Sequence, residues 1–488
     1  MLFNSLEFLV FYPVVVGVLF ALPHRARWAW LLLASCVFYG SWSPWYLLLL
    51  LGTAALDWVV GVRIADAPNP RVRWRWLVLS LASNLGVLFS FKYYNLFNDT
   101  ITQALAGVGV HWPLPHSEWA LPVGLSFYTF QSISYTIDVY RGDYSAERRP
   151  GMFLLYVAYF PHLVAGPIVR APKLLPQLHQ HVRFDWDRAA SGLRLACWGM
   201  FKKVVIADRL AEVVDIIYGD PRAFGPFGWT IGTFFFCYQV YCDFSGYSDI
   251  AIGIARVMGV DLTRNFDQPY LSRSMSEIWS RWHITMSTWF RDYVYIPLGG
   301  NRVPPWRWAF NVFVVMVGSG LWHGAQWSLT AWGAVHALLL VLERFTEPQR
   351  RWLYRVTGLE RVPWLLALVQ WACTFLLWQV TLVFFRAETI GDAFYILGNL
   401  PFGWSRLGEP LALAGFVAKV KLDLFLLGYC ILLCPFAELV DYCFRTESIR
   451  ARVQKLPTPF RWTLDWSLVV ATIALGFFGA TPFVYFQF

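Results

Sequence analysis

Charged residues are scarce in this sequence. Only 15% of its 488 residues are Asp, Glu, Lys or Arg, whereas 57% are hydrophobic. A soluble globular protein carries about a quarter charged residues and less than half apolar ones. A chain of this composition cannot shield its apolar side chains from water, so the composition excludes an ordinary soluble protein and indicates a membrane protein.

Several common catalytic motifs are also missing. The sequence has no GxSxG, GxxxxGK[ST], HExxH or GxGxxG motif, and no His-x4-Asp pattern of the soluble glycerolipid acyltransferases. Hydrolase, P-loop ATPase and zinc protease functions therefore have no support. The cysteines form no CxxC pair and lie in or beside apolar runs, so we interpret them as small hydrophobic residues. They are Cys36, Cys197, Cys237, Cys242, Cys373, Cys430, Cys434 and Cys443.

A long hydrophilic linker, a low-complexity tract and a convincing internal repeat are absent as well. The more polar stretches are too short to hold a separate catalytic domain, which needs about 50 residues or more. We therefore predict one membrane domain over residues 1–488.

What the sequence does contain is a series of long, almost uncharged runs. A helix needs about 20 apolar residues to cross roughly 30 Å of hydrocarbon, and several runs approach or exceed that length. We predict an all-α, polytopic membrane protein with about 10 to 12 transmembrane helices. The clearest runs are Phe8 to Leu22, Trp28 to Gly40, Trp45 to Val62, Trp76 to Phe91, Trp308 to Leu321, Trp364 to Phe385, Leu424 to Ala437 and Trp466 to Phe486.

The distribution of arginine predicts the orientation of the chain. The N-terminus and the second loop, Ser41 to Pro44, carry no basic residue, and the first run has no obvious cleavage site after it. We therefore expect a retained first helix, an N-terminus outside the cytoplasm, and cytoplasmic first and third loops. The arginines of those two loops are Arg25, Arg27, Arg63, Arg71, Arg73 and Arg75.

Two segments depart from the simple transmembrane pattern. From Tyr159 to Arg170, two prolines and a glycine interrupt an apolar run with basic residues at both ends, which predicts a re-entrant segment. Broken backbone at membrane depth must be buried in protein or line a cavity, so this segment suggests a polar interior. From Ser272 to Tyr295, apolar and polar residues separate on a 100° wheel, which predicts one continuous amphipathic helix.

Two histidines are candidates for chemistry. His323 lies among Gly318, Gly320 and Gly324 at the end of an apolar run, so either a neighbouring helix or a ligand can approach its ring. His283 lies at the edge of the apolar arc of the predicted amphipathic helix. Asp292 is nine positions later, about half a turn round such a helix, which argues against a Ser-His-Asp relay.

Other polar residues in apolar surroundings favour structural roles. We expect His162 to bond backbone groups left unpaired by Pro161 and Pro167, and we interpret His336 as a packing residue. The roles of Asp243 and Asp249 remain open: they could serve proton transfer, cation binding, or helix capping and polar packing.

Two long motifs together resemble the signature of the membrane-bound O-acyltransferase (MBOAT) family. The first runs from Asn265 to His283 and continues to Gly300, and the second is Gly320-Leu-Trp-His-Gly-Ala325. They are most similar to a bacterial branch acting on alginate, acetylated cellulose and teichoic acid. The segments Tyr241 to Asp249, Phe160 to Pro167 and the closing Pro482 to Phe488 resemble the same branch, so the likeness runs nearly end to end.

The resemblance implies a ring of helices around a tunnel that admits an acyl thioester from the cytoplasmic side. It assigns the family's two hallmark histidines to His323, as general base or acceptor-holding group, and to His283, which would orient the thioester. It implies acetyl-CoA as the donor substrate and no metal.

The function that follows is an inner-membrane O-acetyltransferase acting toward an exported polysaccharide such as alginate or cellulose, with an extracytoplasmic partner protein. D-alanyl transfer from a carrier protein to teichoic acid is an alternative within the family. A transporter or channel is an alternative from another class, because polar residues in a helix bundle and a re-entrant segment suit it equally. A structural scaffold of a secretion complex is a third.

Overall fold

The computed structural model describes residues 1–112, 114–402, 410–420, 424–446, 452–453, 455–478 and 483, and every regular element among them is helical. The predicted all-α, polytopic membrane class is confirmed. The closing motif from Pro482 to Phe488 lies outside the described residues except for Phe483.

The α-helices are numbered in chain order. The first half contains α1 Leu6–Ala21, α2 His24–Gly40, α3 Pro44–Asp66, α4 Pro70–Leu88, α5 Tyr94–Ala106, α6 Leu125–Arg141, α7 Pro150–Ala158, α8 Phe160–Leu163, α9 Ala171–His179, α10 Trp186–Phe201, α11 Asp208–Gly219 and α12 Pro226–Val257. The second contains α13 Met275–Arg281, α14 Ile284–Phe290, α15 Pro305–His323, α16 Trp327–Phe345, α17 Glu347–Val356, α18 Pro363–Arg386, α19 Ile390–Asn399, α20 Pro410–Val420, α21 Leu424–Arg445 and α22 Thr458–Leu475. Among the described residues, three π-helical turns interrupt or extend these helices: Phe89–Tyr93, Lys202–Ala207 and Arg291–Tyr295.

Five of the described helical segments are long and apolar enough to cross a membrane, and α1 is a shorter apolar helix. The predicted count of ten to twelve crossings stays a prediction. The five segments are Pro44–Asp66, Pro70–Ala106, Trp327–Phe345, Pro363–Arg386 and Leu424–Phe444.

The chain divides into two compact units. Unit 1 consists of Met1–Ala196 and Ser248–Arg264, and unit 2 consists of Cys197–Tyr247 and the described part of Asn265–Phe488.

A buried polar network joins three helices of unit 1. Asp57 of α3 is fully buried and accepts hydrogen bonds from Ser80 (2.6 Å) and Asn84 (2.9 Å) of α4. The Ser80 hydroxyl also lies 3.2 Å from that of Thr136 on α6. An ionisable group within an apolar helix is costly unless it is satisfied, so this network both supports Asp57 and ties the three helices together.

The predicted interruption after Tyr159 is present in unit 1. Helix α7 ends at Ala158, α8 has only four residues, and no helix resumes until Ala171. The segment is almost entirely buried in protein, as broken backbone at membrane depth requires. The Nε2 atom of His162 lies 3.0 Å from Oε1 of Gln131, whose amide nitrogen donates to the Tyr156 carbonyl. His162 is thus held within the fold through the Gln131 side chain, where the sequence had suggested a bond to backbone.

In unit 2, α15 and α16 pack closely because two glycines face the opposite helix. A methyl group at Gly320 would lie 2.3 Å from the carbonyl oxygen of Leu329, and one at Gly333 would lie 2.3 Å from that of Met316. Contacts this short are possible only without a side chain. Gly320, three residues before His323, therefore serves helix packing. This is one of the two alternatives that the sequence left open.

This contact leads to a stability prediction. Gly320→Ala should destabilise the protein by about 1–3 kcal/mol, because the methyl group meets rigid backbone and the helices must separate. Gly318→Ala is the matched control, since its methyl group would lie at an ordinary 3.5 Å from the Phe290 ring. Thermal unfolding in detergent micelles should show a lower midpoint for Gly320→Ala alone. Equal midpoints for the two variants would contradict the packing described.

A buried group of charges surrounds the π-helical turn Lys202–Ala207 of unit 2. The ammonium nitrogen of Lys203 lies 2.8 Å from a carboxylate oxygen of Asp208 and 2.8 Å from one of Asp243. Lys202 donates to the Ser245 hydroxyl at 3.0 Å and lies 3.6 Å from Asp441. Of the roles left open for Asp243, the structure favours polar packing through an ion pair.

Candidate functional site

The sequence prediction of one continuous helix from Ser272 to Tyr295 is wrong. Helix α13 ends at Arg281 and α14 begins at Ile284, because His283 between them has a left-handed backbone conformation with φ 42° and ψ 51°. This conformation is uncommon for a residue with a side chain and breaks the helix at that point. A 100° periodicity cannot reveal such a break, since both short helices keep their apolar positions.

Backbone hydrogen bonds to a neighbouring segment hold this break in place. The amide of Ile284 donates to the Asn265 carbonyl at 2.8 Å, and the amide of Asp267 donates to the Arg281 carbonyl at 2.9 Å. The strain at His283 is therefore fixed by its surroundings, as is common for residues with a functional role.

Asn265 also fixes the proton position on His283. Its Oδ1 lies 3.1 Å from Nδ1 of His283 and accepts hydrogen bonds from the Thr285 amide (3.3 Å) and hydroxyl (2.9 Å). Because a backbone amide must donate, this atom is the oxygen, and His283 Nδ1 must carry a hydrogen. The Nε2 atom then has the lone pair. Asn265 was missed as a site residue, although it opens the first motif.

Burial keeps this imidazole neutral. His283 lies outside the five candidate spans and is fully buried, and the loss of solvation lowers its pKa to about 3. A neutral ring with Nδ1 protonated presents Nε2 as a hydrogen-bond or proton acceptor at physiological pH.

His323 is the last residue of α15 and is 2% exposed. Its ring centroid lies 6.4 Å from that of His283, so the structure brings together the two histidines that the sequence singled out. Aromatic rings of Trp322 and Trp332, both at 5.1 Å, and of Phe385 at 5.3 Å enclose it. The result is a histidine pair within an apolar, aromatic wall.

His336 adds a third imidazole to this wall. It lies on α16, is fully buried, and its ring centroid is 4.7 Å from that of Trp332. His336 lies four residues after Trp332, so both are on one face of α16. This spacing is the sequence pattern that could have identified His336.

This arrangement suits proton transfer at a site that is shielded from bulk water. A neutral imidazole that lies close to a hydroxyl group can accept its proton during the reaction. Among the described residues, no group of three or more His, Cys, Asp or Glu side chains is placed to hold a metal ion.

Comparison with known proteins identifies the setting of these residues. The sequence profile of the MBOAT, membrane-bound O-acyltransferase family, matches residues 150–386, which include both His283 and His323. The probable alginate O-acetylase AlgI of Pseudomonas aeruginosa is 41% identical over 412 residues, covering 84% of this chain and 76% of that protein.

Two further relatives extend the similarity. The probable alginate O-acetylase AlgI of Pseudomonas putida is 36% identical over 508 aligned positions, covering 100% of both chains. The peptidoglycan O-acetyltransferase of Helicobacter pylori is 32% identical over 401 residues, covering 76% of this chain and 73% of that protein. The likeness therefore extends well beyond the two histidine motifs.

Proposed function

The chain belongs to the membrane-bound O-acyltransferase family, and from this premise we propose that it moves acetyl groups from acetyl-CoA toward an exported polysaccharide such as alginate or cellulose. It is a membrane-embedded O-acyltransferase. The observation that carries the proposal is the buried contact between His283 and His323, which supplies a base and a second polar group inside an apolar wall.

In the proposed reaction His323 acts as the general base. It takes the proton of an acceptor hydroxyl, whose oxygen attacks the carbonyl carbon of the thioester. The carbon–sulfur bond then breaks, and the thiolate leaves with the proton returned by His323. A thioester is already activated, so positioning and a base near neutral pKa are the main requirements.

His283 is proposed to orient the donor. Its Nε2 lone pair accepts a hydrogen bond, and the pantetheine arm of coenzyme A carries amide N–H groups that can donate one. This role needs the proton to stay on Nδ1, which is what the Asn265 side chain supports.

We propose that the whole chain forms one acyltransferase domain in a bacterial inner membrane, with its N-terminus in the periplasm. In unit 1, Arg148, after α6, makes two hydrogen bonds with Asp66 at the end of α3 (2.9 and 2.7 Å). Arg73, in the first turn of α4 after the third loop, donates to the Tyr140 carbonyl of α6 at 2.6 Å. The connection after α6 therefore lies on the same membrane side as the third loop, and the arginines of the first and third loops support the proposed orientation.

On this orientation the thioester enters from the cytoplasm and the acceptor approaches from outside. The polar connections are too short to grip a long glycan, so we propose an extracytoplasmic partner protein that presents the acceptor. The acceptor hydroxyl belongs either to the sugar or to that partner.

Labelled donors test the proposed function. Membranes containing the chain, supplied with acetyl-CoA labelled in its acetyl group, should transfer label to the exported polysaccharide, and membranes lacking the chain should not. A D-alanyl carrier thioester supplied in place of acetyl-CoA should give no transfer. Label from the D-alanyl donor alone would show that the donor assignment is wrong, and mass spectrometry of the polysaccharide identifies the group added.

A further inference from the structure

His336 of unit 2 has an unusual combination of hydrogen-bonding features. Its Nδ1 atom accepts a hydrogen bond from the indole N–H of Trp279 at 3.3 Å. Its Nε2 atom is buried and has no hydrogen-bond partner among the described residues. A buried polar atom of this kind usually costs stability, so it calls for a reason.

The bond from Trp279 fixes the proton of His336. An indole N–H can only donate, so Nδ1 must present its lone pair, and in a neutral ring the hydrogen must then lie on Nε2. His336 therefore presents a fixed N–H donor, whereas the Asn265 bond makes His283 present a lone pair.

A second unpartnered donor lies next to it. The indole Nε1 of Trp332 is also buried without a hydrogen-bond partner among the described residues. The rings of Trp332 and His336 are 4.7 Å apart, and those of Trp332 and His323 are 5.1 Å apart. Trp332 thus packs directly against His323, the proposed base, and His336 packs against Trp332.

We propose that His336 Nε2–H and Trp332 Nε1–H are catalytic donors that bind the carbonyl oxygen of the acyl group. This inference rests on the proposed function, and it assigns a role that the two hallmark histidines do not fill. Two N–H donors in a site without water are the usual means of stabilising the negative oxygen formed when a nucleophile attacks a carbonyl.

The proposed reaction begins with proton transfer. His323 takes the acceptor proton, the acceptor oxygen bonds to the carbonyl carbon, and the electron pair of the C=O bond moves to its oxygen. The two N–H groups hold that oxyanion without giving up their protons. The electron pair returns, the carbon–sulfur bond breaks, and the thiolate takes the proton from His323.

The experiment combines kinetics with two unreactive donor analogues, using the full chain in lipid nanodiscs. In the ketone analogue, CH2 replaces the thioester sulfur and the carbonyl remains, whereas S-ethyl-CoA lacks the carbonyl. His336→Phe should lower kcat about 10²–10³-fold, and KM should rise as far as binding of the donor carbonyl weakens. It should weaken binding of the ketone analogue and leave binding of S-ethyl-CoA unchanged. Trp332→Phe should act in the same direction.

Two further variants separate catalysis from folding. His336→Gln restores an N–H donor and should recover part of kcat. His162→Phe of unit 1 also replaces a buried histidine, takes no part in the proposed step, and should keep wild-type kcat.

Equal loss of binding for both analogues, or wild-type kcat in His336→Phe, would overturn the donor assignment while the acetyltransferase proposal stands. Absence of label transfer from acetyl-CoA by the wild-type chain would overturn both.

Discussion

His323→Ala is expected to abolish polysaccharide acetylation while the protein remains folded in the membrane. Loss of a positioned general base lowers the rate of proton-coupled chemistry by about 10²–10⁴-fold, which takes acetylation below detection in cells. The measurement is mass spectrometry of acetyl groups on the exported polysaccharide. Size-exclusion chromatography of the detergent-extracted protein reports on folding.

Two companion variants make this result specific. His323→Gln fills similar space but supplies no base, so it should be as inactive as the alanine variant. Ser319→Ala removes a small buried side chain one turn earlier on α15 and should leave acetylation close to the wild-type level. Acetylation that persists in His323→Gln would show that His323 is not the base.

Lys203→Met should strongly reduce stability. Lys203 is the cation that lies 2.8 Å from both Asp208 and Asp243, and its removal leaves two buried carboxylates without it. Breaking a buried ion pair from one side typically costs about 3–5 kcal/mol, because the remaining charge stays desolvated. Thermal unfolding in detergent should show a much lower midpoint, accompanied by less protein in the membrane fraction.

Arg148→Met is the matched control for this prediction. Arg148 also pairs with a carboxylate, Asp66, but both side chains are more than half exposed, so water replaces the lost partner. Its midpoint should stay close to that of the wild type. Combining Lys203→Met with Asp208→Asn and Asp243→Asn should recover part of the lost stability, and failure to do so would indicate that the charges are not what destabilises the single variant.

The membrane class could be predicted from the sequence because it depends on composition and on the length of the apolar runs. Fifteen per cent charged residues and long apolar runs leave few alternatives, and the described part of the chain includes five helical segments long and apolar enough to span a membrane. The interruption after Tyr159 was predictable for a similar reason, since proline and glycine act locally on the backbone.

Features that depend on tertiary contacts could not be predicted from the sequence. The break at His283 depends on the hydrogen bond that the Asn265 carbonyl accepts from Ile284 and the one that the Asp267 amide donates to Arg281, and no periodicity within residues 272–295 records them. The position of His336 depends on packing against Trp279 and Trp332, so the sequence supported only a packing role.

The two histidines of the candidate site are an intermediate case. Glycine neighbours drew attention to His323, and a long motif drew attention to His283, but neither pattern gives a distance. The structure places the two rings 6.4 Å apart, and their catalytic roles stay a prediction.

The π-helical turn Lys202–Ala207 limits how this region can change during evolution. A π turn contains one residue more than the α-helix would, and each residue of an α-helix advances by about 100°. Deleting one residue there would restore a regular helix but rotate every following side chain of α11 by about that angle. Lys203 and Asp208 would then lose their present alignment with Asp243. The turn should therefore tolerate conservative substitutions more readily than insertions or deletions, and we expect homologous chains to keep the length of this segment even where its residues differ.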